Sequence, residues 1–436
     1  MRTVIASVVL LGLTPALLSA QIPDPEPPAS STLFVFLDCQ GMAFMHCDFD
    51  HVRREVTWVN WVRDRQDADV HILVTVQATA SGGFNYTVDL IGLRAFAGTQ
   101  DTLLYVSDPD DTDPEVREEL TNRLMLGLVR YVTNSTIAGD LQLSYEPAAE
   151  VVAQDAQEDD PWNLWVFRVG ANGSVNGESL QRGYSIGGNM SANRTSEAFK
   201  FNWRASGRYS RDEFDIVDAT VGLDTTIVNT RRNYNTNILA VWSLTDHWSA
   251  GGTASAGHSS FSNRDLTLTT GPAIEYNIFP YDESTRNSIT FQYSIEVNYN
   301  NYELVTVTGV TEETLGRHRL EVSANVQQPW GQIFGSVSGT QYFHDLATHR
   351  IDTFIGASFR VFRGFEFNVN GSVARIKDQF FLPAAGLTPE DILLGRRQRE
   401  TDFRYRLSVG FSYRFGSKFA NVVNPRMGGG GGFFFF

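Results

Sequence analysis

The only two cysteines among the 436 residues are Cys39 and Cys47, eight positions apart. In a secreted chain such a pair favours a disulfide, because compartments outside the cytoplasm are oxidising. His46, Asp48 and His51 flank Cys47 and could supply zinc ligands. Their spacing fits none of the usual metal patterns. The sequence therefore predicts a disulfide, with no metal and no cofactor.

A histidine and a serine, His258 and Ser260, lie two positions apart. On a β-strand this spacing places both side chains on one face. The pair resembles the His-x-Ser pair of outer-membrane phospholipase A, a family of twelve-stranded barrels in which an Asn on the next strand orients the His. In this chain Pro272 and Ile274 fall about where that Asn would lie, and Asn277 lies further along. Lipid hydrolysis is therefore the least favoured hypothesis, and the chain is not predicted to be an enzyme.

Charged residues alternate with apolar ones from Phe403 to Phe415, where every odd position is apolar or aromatic and every even position is Arg, Ser or Gly. This pattern is typical of a transmembrane β-strand with one face towards lipid. Arg404, Arg406 and Arg414 would then face a lumen, where they must meet water or acidic partners. The residues predicted to line that lumen are Arg168, Lys200, Arg204, Arg208, Glu275, Glu296, Arg319, Glu321, Arg350, Asp352, Arg360, Glu366, Arg404, Arg406 and Arg414.

Ser408, Gly410, Tyr413 and Phe415 follow the order polar, x, Gly, x, x, aromatic, x, aromatic. This order resembles the closing-strand signal of Gram-negative outer-membrane β-barrel proteins. The resemblance implies a chain that lies in outer-membrane lipid and is recognised there by the barrel-assembly machinery. One departure from the family is the 21 residues that follow Phe415.

The same alternation recurs upstream and predicts about twelve strands, of which 248–260 and 330–343 have the weakest patterns. The three longest connections, about 211–233, 300–317 and 378–401, are predicted at one end, with short periplasmic turns at the other. An aromatic girdle is predicted at the turn end from Trp162, Trp165, Trp242, Trp248, Trp330, Phe279 and Tyr281.

The N-terminal part of the chain has a different pattern. Val52, Val56, Val59 and Val62 recur at helical spacing and predict a helix over about 50–64. A second helix is predicted to begin at Asp113, with this residue as its N-cap and a proline after it. With short strands between the helices, this region is predicted to form a small two-layer α+β domain.

Charge is divided unevenly along the chain. Residues 22–160 contain 25 acidic residues against 8 arginines and no lysine, whereas residues 161–436 contain 25 acidic and 26 basic residues. Such acidity argues against nucleic-acid binding. The predicted division is a signal peptide over 1–20, a linker over 21–31, a periplasmic α+β domain over 32–145, an acidic linker over 146–161, a transmembrane β-barrel over 162–415 and a C-terminal tail over 416–436.

The predicted fold class is mainly β: a transmembrane antiparallel up-and-down β-barrel of about 12 strands, preceded by a small α+β domain in the periplasm. One predicted function is a small-solute pore in the cell outer membrane, lined by charges of both signs. The alternative, which the sequence supports equally well, is a membrane-anchored scaffold whose periplasmic domain binds a protein partner. The sequence does not decide between an open and a filled lumen, because barrels of about eight strands are filled and those of sixteen leave channels.

Overall fold

The computed structural model describes residues 33–41, 43, 47–79, 83–107, 111–133, 136–140, 162–218, 223–386, 388 and 397–424. The predicted signal peptide, the predicted linkers over 21–31 and 146–161, and the Gly-Phe end of the tail lie outside these residues. Among the helices described, none is long and apolar enough to cross a membrane.

The first module is an α+β domain built on a five-stranded sheet with the order β2-β1-β3-β4-β5. Strands β2 and β3 both run parallel to β1, whereas β4 and β5 are antiparallel to their neighbours. The elements are β1 (Phe34–Cys39), α1 (Phe49–Glu55), β2 (Asn60–Trp61), β3 (Val70–Ala78), β4 (Phe84–Gly92), β5 (Gln100–Val106) and α2 (Asp113–Val132).

The two faces of this sheet differ in composition, because side chains alternate along each strand. One face is apolar and packs with the helices to form the core, which includes Val35, Ile72, Val88, Leu120, Leu124 and Leu128. The opposite face carries buried polar residues on neighbouring strands: Asp38, His71, Thr75, Thr87 and Asp89. A two-layer domain would leave this second face in solvent, so its burial requires another partner.

Both helix predictions in this domain need correction. The first helix covers only Phe49–Glu55, and Asn60–Trp61 instead pairs in parallel with Phe34–Val35. Val59 remains buried, which explains why the spacing resembled a helix face. The second helix begins at Asp113, but its N-cap is Thr112, whose N–H donates to the Glu115 carboxylate at 2.7 Å.

The second module is a twelve-stranded antiparallel sheet in which every strand pairs with the next one along the chain. Its strands are β6 (Trp165–Glu178), β7 (Gln181–Thr195), β8 (Phe199–Asp218), β9 (Leu223–Ser243), β10 (Trp248–Ser259), β11 (Arg264–Asn277), β12 (Asn287–Tyr302), β13 (Glu312–Gln328), β14 (Gly331–Tyr342), β15 (His349–Phe362), β16 (Phe365–Ile376) and β17 (Phe403–Tyr413). The predicted number of strands and their up-and-down order are confirmed. The weak stretches 248–260 and 330–343 do contain strands β10 and β14.

The prediction of a long loop over 211–233 is wrong. Strands β8 and β9 continue as a paired hairpin, with Arg211 opposite Thr230 and Asp212 opposite Asn229. Arg211 binds Glu213 at 2.8 Å, and Arg182 of β7 binds the same carboxylate at 2.9 Å. The polar composition that suggested a loop therefore belongs to strands that cross-link their charges.

Strands β6 and β17 form the two edges of this sheet, and no ladder joins them among the residues described. Side chains of β17 are exposed along its whole length. Within the described residues, β6 and β17 therefore each pair with one neighbour only, and closure into a barrel stays a prediction.

Candidate functional site

The strand register places the predicted lumen residues on one face of the twelve-stranded sheet. Glu296 lies opposite Arg317, and Glu321 lies opposite Gln292, which in turn neighbours Glu275. Fourteen of the predicted residues lie within strands, and the pairing from strand to strand places all fourteen on the same face of the sheet. The fifteenth, Arg414, lies just after the end of β17. We call this the polar face.

The opposite face is apolar and largely exposed, and we call it the apolar face. It carries Phe291, Tyr293, Ile295 and Val297 on β12, all between 39% and 52% exposed. The buried residues Ser294, Glu296, Asn298 and Asn300 of the same strand point the other way. A soluble sheet would be expected to show the reverse distribution.

Aromatic rings gather on the apolar face near the short turns. Trp165 stacks on Phe167, Trp330 stacks on Phe359, and Phe362 stacks on Phe365, with ring centroids 5.8, 5.8 and 4.7 Å apart. Trp242 and Trp248 of the predicted girdle pair with Phe199 and Tyr276 in the same zone.

Tyr281 was predicted in this girdle, and the structure places its hydroxyl elsewhere. The hydroxyl lies 2.6 Å from the Ser249 hydroxyl and donates to Glu275 at 2.9 Å, both on the polar face. The prediction used sequence position alone, which does not specify the direction of a side chain in a turn.

One part of the polar face is ion-paired. Arg317 binds Glu296 at 2.7 Å, Arg319 binds Glu321 at 2.5 Å, and Arg350 binds Asp352 at 2.6 Å. Sequence reasoning missed Arg317 because it was assigned to the loop 300–317. Arg317 lies two positions before Arg319, a spacing that places both side chains on one face of a strand, and this spacing could have identified it.

Another part of the polar face carries bases without acidic partners. In the described structure no carboxylate lies within ion-pair distance of Arg168, Lys200, Arg204 or Arg208. Arg208 donates instead to the Ser185 hydroxyl at 3.1 Å. Arg404 and Arg406 are exposed on the edge strand β17.

At the end opposite the short turns, the connection from β16 to β17 folds back across the sheet. The Asn263 side-chain amide donates to the Phe381 and Leu304 carbonyls, both at 3.0 Å. The Arg264 guanidinium lies over the Phe381 ring, 4.3 Å from its centroid. Leu382 and Tyr302 complete a small buried cluster. Sequence analysis predicted this connection as long and missed its contacts.

At the short-turn end, the α+β domain docks on the sheet through the polar residues of its open face. Asp38 is buried, and its carboxylate binds the Arg360 guanidinium through both oxygens, one contact being 2.5 Å. His71, also buried, places Nε2 3.1 Å from Asp38 Oδ2. Arg360 was predicted to face the lumen, and it lies on the polar face but reaches down to the domain.

The surroundings set the charge state of this triad. Burial alone would raise the pKa of Asp38, but hydrogen bonds from His71 and Arg360, with the Arg360 charge, lower it to about 2. Burial lowers the pKa of His71, and Asp38 does not reverse this effect. The carboxylate is therefore ionised and the imidazole neutral at neutral pH.

Two further contacts hold the domain against the turn between β11 and β12. Buried Asp89 binds Arg286, in the turn between β11 and β12, at 3.0 Å. Next to this pair, the Thr87 hydroxyl donates to the Thr285 hydroxyl at 3.0 Å.

The turn between β15 and β16 is held as well. Arg363 binds Asp67 at 2.7 Å, and the Gly364 N–H donates to Asp64 at 2.6 Å. Acidic residues of the domain thus meet basic residues of the turns, which gives part of the domain's acidity a structural role beyond solubility.

The chain also returns to the domain after the last strand. Phe419 pairs with Val62, the Ala420 N–H donates to the Trp61 carbonyl at 2.8 Å, and the Trp61 N–H donates to Asn421 Oδ1 at 2.6 Å. The segment Lys418–Asn421 therefore covers the β2 edge of the domain sheet, and it belongs to none of the twelve strands.

A cavity of about 1110 Å³ remains between the docked domain and the ends of β15 to β17. The domain contributes Phe36, Asp64 and Arg65 to its wall, and the sheet contributes Trp330 and Arg414. The cavity opens beside the aromatic zone of the apolar face, because Phe362, Phe365 and Tyr413 also line it.

The remaining predicted residues have these positions. Cys39 and Cys47 form the disulfide. Ser408 and Gly410 lie on the polar face of β17, with Tyr413 on the apolar face and Phe415 just beyond the strand.

In the described structure, His258 and Ser260 form hydrogen bonds with other residues and not with each other. His258 Nδ1 lies 3.4 Å from Asp265 Oδ1, while the Ser260 hydroxyl accepts from the Arg232 N–H at 3.1 Å. His258, Asp265 and Glu303 lie close enough to share a cation, but all are partly or fully exposed.

The described parts define a class of protein by fold: an antiparallel up-and-down sheet of twelve strands, polar on one face and apolar on the other, with an α+β domain docked at its turn end. No protein-family model matches the chain. No curated protein matches it in sequence. Among solved structures, the chain is similar to one described as a NanC porin in a rhombohedral crystal form, with 8% identity, a TM-score of 0.27, and coverage of 57% of this chain and 99% of that one. A likeness this weak bears on neither fold nor function, so the fold rests on the strand pairing of this chain.

Proposed function

We propose that the twelve-stranded sheet closes into a β-barrel in the bacterial outer membrane and forms a pore for small solutes, with the α+β domain held on the periplasmic side. The observation that carries the proposal is the division of the sheet into an exposed apolar face and a charged polar face. This is the distribution that a barrel requires, because its outer face meets lipid and its inner face meets water.

Closure follows from the same proposal. The backbone N–H and C=O groups of an open sheet edge cannot lie in hydrocarbon without hydrogen-bond partners. Strand β6 runs away from the turn end and β17 runs towards it, so the two edges have the antiparallel orientation they need to pair. An even number of strands allows this pairing.

The position of the docked domain determines how much of the periplasmic entrance of such a pore is covered. Its contacts reach the turns at Thr285–Arg286 and Arg363–Gly364 and the last residue of β13, Gln328. Among the residues described, the turns after β7 and β9 make no hydrogen bond or ion pair with the domain. The domain therefore covers the β11 to β17 side of the turn end and leaves the β6 to β10 side uncovered.

Liposome swelling tests the proposal. Full-length protein refolded into liposomes should admit a small neutral sugar such as arabinose, and the unboiled protein should migrate differently from the boiled protein in electrophoresis. Refolded, heat-modifiable protein that admits no sugar would contradict the pore. Failure of the protein to insert at all would contradict the membrane location.

A second candidate function is supported by the outer edge of the domain sheet. Among the residues described, no further strand lies beside β5, which exposes Leu104 at 63% and Val106 at 60%. An extended segment of a periplasmic protein could add to such an edge. If this is the function, Leu104→Lys with Val106→Lys should abolish cross-linking to that partner in cells and leave liposome swelling unchanged.

A further inference from the structure

We propose that the cavity between the docked domain and strands β15 to β17 is a binding site for a phosphate-bearing ligand of net negative charge. The proposal goes beyond the pore, since it depends on the docked arrangement and not on whether the lumen conducts. The volume of the cavity, about 1110 Å³, is just above the usual range for small-molecule sites, so a ligand of that size would fit.

The charge of the wall indicates an anion. Seven bases and four acids line the cavity: Arg53, Arg63, Arg65, Arg360, Arg363, Arg414 and Lys418 against Asp38, Asp64, Asp67 and Glu366. The domain contributes three bases and three acids to this wall, so the excess of bases comes from the twelve-stranded sheet and the segment after it, which supply four bases and one acid. Solubility does not require such a local excess.

The four acids are already occupied. Asp38 is held by Arg360 and His71, and Asp67 is held by Arg363. Asp64 accepts from the Gly364 and Gln66 N–H groups, and Glu366 accepts from the Ser358 hydroxyl at 2.7 Å. Asp64 and Glu366 are bound by neutral donors and keep their charge, so the wall as a whole retains an excess of three bases over acids.

Four bases lack an acidic partner in the part of the chain that the structure describes: Arg63, Arg65, Arg414 and Lys418. Guanidinium and ammonium groups without an acidic partner bind phosphate oxygens through charge-assisted hydrogen bonds, and arginine does so through two parallel N–H groups. The ammonium of Lys418 is held over the Phe34 and Phe419 rings, which fixes its position beside the cavity.

Two sources could present this phosphate group. The cavity opens beside the aromatic zone, at Phe362 and Tyr413, so a lipid headgroup could enter from the membrane interface. It also opens towards the ends of β16 and β17 on the polar face, at Glu366 and Ser412, so a solute could reach it. Apolar groups such as Phe36 and Trp330 could pack against either molecule.

Isothermal titration calorimetry on the full-length refolded protein at low salt tests the site. The probes are glucose 6-phosphate against glucose, in a zwitterionic detergent, and phosphatidylglycerol against phosphatidylcholine in mixed micelles. We expect one phosphorylated anionic probe to bind at one site per chain, and its uncharged or zwitterionic counterpart not to bind. Binding of glucose 6-phosphate alone identifies a solute, and binding of phosphatidylglycerol alone identifies a lipid headgroup.

The variants Arg65→Gln and Arg414→Gln should each weaken binding about tenfold, the effect expected on losing one charge-assisted hydrogen bond. Arg123→Gln is the matched control, because Arg123 lies on helix α2 and pairs with Glu119 outside the cavity. Binding of neither anionic probe would overturn the proposal, as would equal weakening by Arg123→Gln. Because conductance is measured separately, a conducting protein that binds neither probe would contradict the site and leave the pore standing.

Discussion

Strands β12 to β15 and strands β6 to β8 each present four basic side chains on the polar face, but the surroundings of those side chains differ. In the first group every base is bound to an acid, three within the sheet and one, Arg360, through Asp38 of the domain. In the second group, Arg168, Lys200, Arg204 and Arg208 have no acidic partner in the described structure.

The difference indicates two roles for one face. Paired and partly buried charges hold strands and domain in a fixed arrangement, because breaking such a pair leaves an uncompensated charge. Unpaired bases must remain hydrated, since burying them alone would cost several kcal/mol each. We therefore expect β12 to β15 to contribute stability, and β6 to β8, with Arg404 and Arg406, to contribute to the selectivity of the proposed pore.

The largest effect is expected at the docking triad. Asp38→Ala leaves Arg360 and His71 without their buried partner and should lower the free energy of local unfolding of β1 and β3 by about 3–5 kcal/mol. Native-state hydrogen exchange of these strands measures this change. Asp50→Ala is the control, because Asp50 lies on the exposed side of α1. Unchanged protection in the Asp38 variant would show that the triad does not hold the domain.

One substitution in each of the two groups of strands tests this difference directly. Glu296→Gln removes the partner of Arg317 and should lower the free energy of unfolding by about 2–3 kcal/mol. Arg204→Gln removes a base that has no acidic partner and should change this free energy by no more than about 0.5 kcal/mol. Urea denaturation of the refolded protein gives both values. Equal losses in the two variants would remove the distinction between the two groups.

The docked domain should also lose stability in mild acid. The folded pKa of His71 lies below its ordinary value of 6.5, so below pH 6.5 the unfolded chain binds a proton that the folded chain excludes. The docked domain therefore has its full stability above pH 6.5. Its free energy of unfolding falls as the pH drops through that value, by at most about 1.4 kcal/mol per pH unit. The contribution of Asp38 is lost only as the pH falls from 3.8 towards 2.

Hydrogen exchange of β3 at pH 7.5 and pH 5.5 checks this dependence. His71→Gln should flatten the difference between the two pH values. If the His71→Gln variant keeps the full pH dependence, titratable groups other than His71 cause that dependence.

The smallest expected effect lies at the C-terminal segment. Asn421→Ala removes the acceptor of the Trp61 N–H and should destabilise the β2 edge by about 1 kcal/mol. Exchange of the Trp61 amide is the measurement, and Val422→Ala is the comparison, because the Val422 side chain is 90% exposed. If the Trp61 amide is equally protected in both variants, the segment does not cover this edge in solution.

Local alternation predicted much of this molecule. The strict period of two in β12 and β17 identified both strands and assigned Glu296, Arg404 and Arg406 to one face, because side-chain direction in a strand follows from position alone. The same rule failed at 211–233, where polar strands that cross-link their charges were interpreted as a loop.

Contacts between distant segments could not be predicted in this way. Arg360 and Asp38 are 322 positions apart, and any acid of the domain was an equally good candidate for the role. The docking of the domain, the return of Lys418–Asn421 to β2 and the cavity between the two modules all depend on such contacts. Sequence patterns specify faces, whereas the choice of partner depends on the folded geometry.

Planar-bilayer recording of the refolded full-length protein across a potassium chloride gradient measures directly whether the protein forms a pore. We expect discrete conductance steps and a reversal potential that lies towards the chloride equilibrium potential. We also expect Arg404→Glu with Arg406→Glu to move the reversal potential towards the potassium equilibrium potential, whereas Arg123→Glu on α2 should leave it in place. Folded, heat-modifiable protein that inserts and yet shows no conductance would rule out the pore.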